Sequence, residues 1–212
     1  NKAHTPWEWH KELMEEANKL GMDCFSSPFD EKAVDFLEEL NVPAYKIASF
    51  ENTHLPLIKK VASTGKPMII STGMASASEI EEAVLTVRKA GCEQIVLLKC
   101  TSTYPATPEN TNVLTVPHMR ELFNCEVGLS DHTMGVGAAV TAVAHGATVI
   151  EKHFTLDRNL PGPDHAASLE PDELRSMIKA IRNIEKAMGE GVKRPSPSEI
   201  KNIPIARKSI VA

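Results

Sequence analysis

No apolar run in this sequence approaches the ~18–20 residues that cross a bilayer, and no signal peptide opens it. A membrane is therefore not an expected partner. Lysine and arginine number 23 against 28 aspartates and glutamates, a net charge of −5, and the basic residues are scattered rather than gathered into a stripe that could track phosphates. That sets nucleic acid aside in favour of small molecules. No C-x-x-C pair occurs among the four cysteines, Cys24, Cys92, Cys100 and Cys125, and three of them lie within or beside apolar runs, as buried reduced thiols do. The expected address is cytoplasmic. No apolar run leads into a G-x-G-x-x-G turn, so the fingerprint of a doubly wound, dinucleotide-binding sheet is missing as well.

What the 212 residues do contain, 42% apolar and 24% charged, suits one globular domain with one core. Short apolar runs alternate with longer segments whose apolar residues recur every three or four positions, a βα pattern. Strands are expected at 22–29, 44–49, 67–72, 94–100, 125–130 and 148–154, and helices at 7–21, 30–40, 54–64, 76–91, 115–123, 134–146 and 170–189. Asp30 can cap the helix after it, Ser76 with Glu79 makes a capping box, and Gly21, Gly65, Gly91 and Gly146 stand where helices should stop. Steps of 22 to 31 residues between strand starts leave room for a crossover helix but not for a tight hairpin, so the sheet should be parallel.

Each expected strand ends in polar residues, as the strands of a (β/α)8 TIM barrel do at their catalytic face. The expected fold is therefore an α/β barrel. Six βα units are counted where eight close a barrel, so residues 1–189 are expected to supply strands 3–8, with two leading units outside this chain. The tail, 190–212, carries three prolines and no helical stripe. It reads as a linker, and its last residues, KSIVA, turn apolar as a further module would.

In a barrel the strand ends converge, so residues distant in sequence can share one mouth. His132 and His153 end neighbouring strands and can together take a divalent metal; alternatively, each is a hydrogen-bonded residue at a loop start. Lys46 lies inside an apolar strand, where a charge needs an anion. A ligand phosphate would serve, or pairing with Glu51, or snorkelling past the strand. Ser27, Ser49, Ser71 and Ser130 offer hydroxyls around an anion, or are plain turn residues. Glu51 can handle a proton or be a solvated surface charge. Tyr104 and Asp164 sit in loops that can grip a polar substrate, and Asp164 reads equally as an Asx-turn. The aromatic pair of Trp7 and Trp9 is expected to pack.

The strings FSSPFD, YKIASFE, IISTGMAS, LLKCTSTYPA, VGLSDHT, IEKHFTL and GPDHAASLEP together resemble the sialic acid synthase family, from about residue 5 to the end. Within it, TPWEWH, VPAYKIASFE and LLKCTS look most like the pseudaminic acid branch, whereas the N-acetylneuraminate branch tends to carry His in place of Lys99. The resemblance implies condensation of phosphoenolpyruvate with an open-chain amino sugar, addition of water and release of phosphate by C–O cleavage. It implies Mn2+ or Mg2+ on His132 and His153, and phosphoenolpyruvate on Lys46, Ser27, Ser49, Ser71 and Ser130. It also implies Glu51 beside the reacting carbons, and the sugar near Lys99, Ser102, Tyr104 and Asp164. A homodimer and a C-terminal antifreeze-like domain belong to the same expectation. Two rivals remain: another metal-dependent barrel condenser such as a 3-deoxy-heptulosonate synthase, whose metal site usually includes a cysteine, and a catalytically inactive barrel.

Overall fold

Local signals set several element boundaries before packing does. Asp30 Oδ1 accepts the Ala33 N–H at 2.8 Å and starts a helix at Glu31. Ser76 and Glu79 close a capping box, with Glu79 Oε2 taking the Ser76 N–H at 2.7 Å. Gly91 and Gly146, at φ 90° and 91°, end helices in a conformation that a side chain disfavours.

The computed structural model describes residues 5–208. The helices are α1 (Trp7–Lys19), α2 (Glu31–Glu39), α3 (Leu55–Ala62), α4 (Ala77–Lys89), α5 (Pro108–Thr111), α6 (Thr115–Phe123), α7 (Gly137–Ala144), α8 (Pro171–Ala187), α9 (Pro197–Ile200) and α10 (Ile203–Ala206). The strands are β1 (Tyr45–Ile47), β2 (Met68–Ser71), β3 (Ile95–Cys100), β4 (Glu126–Asp131) and β5 (Ile150–Lys152). They form one parallel sheet in the order β1-β2-β3-β4-β5, curled as half of a barrel. Sequential order leaves no point at which the strand order reverses, so the doubly wound alternative falls.

The two-residue period of each strand divides its side chains between the faces. Tyr45, Ile47, Met68, Ile70, Leu97, Val127 and Leu129 join Val34, Leu57, Val61, Val84, Val87 and Val116 in the core between sheet and helices. Fully burying each of the larger ones contributes about 1.5–3 kcal/mol. The alternate positions, among them Lys46, Ser71, Cys100, Ser130 and Glu151, line the concave face. A smaller cluster of Ala139, Leu169 and Met177 seats α7 against α8.

The strand expected at 22–29 is not formed. That segment lies beside β1 and makes one backbone bond to it, from the Lys46 N–H to the Ser26 carbonyl at 3.4 Å. Pro28 removes a donor, and one bond is not a ladder. The last expected strand shortens to Ile150–Lys152, after which Phe154 makes only an isolated bridge with Leu169. The tail does carry helix, in the single turns α9 and α10, the first started by a Ser196–Glu199 capping box. Residues 1–4 and the end of KSIVA, 209–212, lie outside the described residues. Trp7 packs as expected, stacking on Phe36 with centroids 4.6 Å apart, while Trp9 is exposed. All four cysteines are free, and among the described residues no helix is long and apolar enough to cross a membrane.

Candidate active site

The strand ends open into a cavity of about 240 Å³ that brings together Ser27, Lys46, Ser49, Ser71, Tyr104, Ser130, His132 and His153, with Cys100 and Glu151 among them. A second cavity of about 490 Å³ shares Ser27, Lys46 and Glu151 with the first. Lys46 is buried, and its ammonium donates to Ser71 Oγ at 2.8 Å and to the Ile47 carbonyl at 3.2 Å. Its counter-charge is Glu151, at 3.4 Å, and not Glu51. Ser130 lies opposite Glu151 in the ladder and donates to its Oε1 at 2.6 Å. One carboxylate thus joins the cation of β1 to the hydroxyl of β4.

The two imidazoles stand with ring centroids 5.2 Å apart, and the Tyr104 ring lies 4.3 Å from His132 and 5.7 Å from His153. His132 Nδ1–H donates to the Thr101 carbonyl at 2.9 Å, which leaves Nε2 as the nitrogen with a free lone pair. Burial works to lower the pKa of His132, but its bonds to Cys100 and Thr101 outweigh this and hold it above the usual value. At His153 burial prevails over the nearby Asp164 carboxylate, and the pKa lies below the usual value. Burial pushes the Cys100 thiol up, yet hydrogen bonds with His132, Ser49 and Ser102 bring its pKa down to about 7. Among the described residues no group of three or more His, Cys, Asp or Glu side chains is placed to hold a metal ion. The two imidazoles, with ring centroids 5.2 Å apart, are a nitrogen donor set of the kind divalent ions take.

Four of the expected residues are not on this cavity's lining. Glu51 ends the single 3-10 turn Ser49–Glu51 that follows β1, and its Oε2 is buried without a hydrogen-bond partner. Burial raises its pKa against the pull of His54 and Lys46. Ser102 lies behind the lining, 3.6 Å from Cys100 Sγ. Asp164 stands at the rim, its Oδ2 4.0 Å from His153 Nδ1. Lys99 takes the strand position next to Cys100 and so turns to the opposite face, where it bonds Thr101 Oγ1 and burial lowers its pKa. A direct substrate contact expected from sequence for Lys99 does not agree with that orientation.

Two residues at the site escaped the sequence reading. Glu151 is one, and the signal for it was its place two residues before His153, on the same face of the strand. Gly73 is the other: its N–H donates to Ser49 Oγ at 3.1 Å, and a Cβ there would run into the hydroxyls of Ser49 and Ser102. Only glycine lets the two serines converge.

The family model described as the NeuB family matches residues 1–193. The N,N'-diacetyllegionaminic acid synthase of Campylobacter jejuni is 50% identical over 205 residues, covering 96% of this chain and 61% of its own. The pseudaminic acid synthase of Helicobacter pylori is 45% identical over 199 residues, covering 94% of this chain and 58% of its own. The crystal structure of the N-acetylneuraminic acid synthetase of Leptospira borgpetersenii superposes with a TM-score of 0.89 at 35% identity, over 96% of this chain and 71% of that one. The chain spans about three-fifths of the length of the curated relatives it matches. Likeness of this extent, running through the residues that build the cavity, means that the chain belongs to the NeuB family, the sialic acid synthases that its motifs resembled.

Proposed function

We propose that this chain supplies the catalytic cavity of a nonulosonic acid synthase. The reaction condenses phosphoenolpyruvate with the open-chain aldehyde of an amino sugar, adds water and releases phosphate by C–O cleavage. The observation that carries this reading is the meeting in one cavity of two imidazoles, 5.2 Å apart, with a buried ammonium and the hydroxyls of Ser49, Ser71 and Ser130.

Phosphoenolpyruvate carries a phosphate and a carboxylate, and Lys46, Ser71 and Ser130 offer one cation and two hydroxyls to them. An anion that takes these donors must turn aside the Glu151 carboxylate that now bonds Lys46 and Ser130. Ser27 and Ser49 add donors along the same wall. Glu51, whose raised pKa brings proton exchange nearer neutrality, handles the proton of the water that adds to the enolpyruvate carbon. Tyr104 and Asp164, at the loops, with Ser102 behind them, orient the sugar. His132 and His153 would hold Mn2+ or Mg2+, which when bound supplies Lewis acidity toward the sugar carbonyl.

Two leading βα units, a C-terminal antifreeze-like domain beyond the 190–212 linker, a homodimer and a cytoplasmic location complete the reading. For the sugar, the motifs TPWEWH, VPAYKIASFE and LLKCTS favour the altro-configured 2,4-diacetamido-2,4,6-trideoxyhexose that leads to pseudaminic acid. The higher identity to a legionaminic acid synthase, 50% against 45%, favours the precursor of N,N'-diacetyllegionaminic acid as the second reading.

The test is phosphate release from phosphoenolpyruvate with Mn2+, using the full gene product and offering these two sugars and N-acetylmannosamine in parallel. Turnover of the altro sugar alone, lost in His132→Ala, supports the first reading. Turnover of either other sugar instead moves the branch within the family. Silence with all three overturns both branch assignments and leaves a different substrate or the inactive barrel.

A further inference from the structure

At the strand positions that alternate with Ser130, His132, Glu151 and His153, an ion pair joins the two strands that lead into the histidines, and Lys152 also borders the cavity. Asp131 and Lys152 are direct partners in the β4–β5 register. Lys152 Nζ is 2.7 Å from Asp131 Oδ2, and the two side chains are only 3% and 0% exposed. The other aspartate oxygen, Oδ1, accepts the Thr133 N–H at 2.9 Å and the Thr133 hydroxyl at 2.7 Å. Lys152 also donates to the Thr133 carbonyl. The Ala106 N–H in turn donates to the His132 carbonyl at 2.9 Å, and Ala106 bridges Thr133, which brings the Tyr104 loop into the same assembly.

A buried ion pair is poor support for stability alone, since an apolar pair of like volume serves as well or better. What apolar side chains cannot supply is direction. These bonds lock the residues on both sides of His132, and Lys152 immediately precedes His153. Because strand side chains alternate, fixing positions 131 and 152 on one face fixes the aim of positions 132 and 153 on the other.

We propose that Asp131 and Lys152 are positioning residues that set the separation and aim of the two imidazoles for a divalent ion. This rests on the metal reading of that pair given above. The test is titration of the full chain with Mn2+, following free Mn2+ by electron paramagnetic resonance, in the native protein, in His132→Ala and in the double variant Asp131→Leu/Lys152→Met. The double variant should keep the native circular dichroism spectrum and a thermal midpoint at or above that of the native protein. It should nevertheless bind Mn2+ about 10–100-fold more weakly, the usual loss when groups that orient metal ligands are removed. Native folding with native Mn2+ affinity overturns the inference and leaves the metal reading standing. Failure of the native chain itself to bind Mn2+, or binding undiminished in His132→Ala, overturns the metal reading and this inference with it. Should the double variant fail to fold, Asp131→Asn keeps the shape while removing the charge. A several-fold loss of Mn2+ affinity in the variant while it is folded, as its circular dichroism spectrum shows, supports the inference, and unchanged affinity overturns it.

Discussion

Glu51 keeps one carboxylate oxygen buried and without a hydrogen-bond partner, an arrangement that costs stability whenever the group is ionised. Its folded-state pKa is raised, chiefly by burial. The protonated acid therefore favours the fold fully below the unfolded pKa of ~4.3, and that contribution is lost as pH rises through the folded value. Glu51→Gln should accordingly melt higher than the native protein at pH 8, by roughly 0.5–1 kcal/mol given its partial exposure, and match it near pH 4. Phosphate release should fall at the same time; a variant whose advantage over the native protein is no greater at pH 8 than at pH 4 would contradict the burial argument. Gly73→Ala sets a second condition at this scale. A Cβ would stand 2.7 Å from Ser49 Oγ and closer still to Ser102 Oγ, so the serines must part. Phosphoenolpyruvate affinity should drop about tenfold or more with little change in thermal midpoint, as calorimetry can check. Sequence revealed the residues whose chemistry is unusual for their surroundings, such as Lys46 inside an apolar strand. Glu151 and Gly73 stayed hidden because their roles come from neighbours on other strands. For Lys99 the chemistry was legible but the orientation was not: its place beside Cys100 turns it to the face opposite the cavity.

Among the elements, β4 and β5 are held by contacts that leave little slack. Gly128 lies so close to the Val149 carbonyl that an added Cβ would overlap it, and that carbonyl accepts the Leu129 N–H at 2.9 Å. Gly128→Ala should therefore loosen the β4–β5 ladder and cost about 1–3 kcal/mol in denaturant unfolding, with faster amide exchange at Leu129. Asp131→Leu alone, which strands the Lys152 ammonium, should cost about 3–5 kcal/mol, and adding Lys152→Met should restore all of it. Helix ends were readable because their signals are local, as at Asp30 and the Ser76–Glu79 box. The segment 22–29 was not, because an apolar run becomes a strand only when a neighbour accepts its backbone, and here a single bond to Lys46 is made. The single turns α9 and α10 lay below the length at which periodicity can be detected.

For the whole molecule, a divalent ion held by His132 and His153 would show itself in stability without any substrate. A ligand that binds only the folded state at 100 times its dissociation constant adds ~2.7 kcal/mol of stability. Saturating Mn2+ should therefore raise the thermal midpoint by several degrees, and His132→Ala/His153→Ala should abolish the rise. A rise that survives the double substitution would place the ion elsewhere.

The strand order has a consequence for how the protein is made. Every strand of the sheet pairs with the one that precedes it in the chain. As the polypeptide leaves the ribosome, each new strand meets a docking edge that already exists, and nothing synthesised later must be threaded between earlier neighbours. Assembly can then advance in the direction of translation, one hydrogen-bonded seam at a time, with the histidine pair completed at the last seam. Nascent chains arrested after β3 should already protect Leu97 from proteolysis, while the His132–His153 pair comes into being only when β5 has emerged.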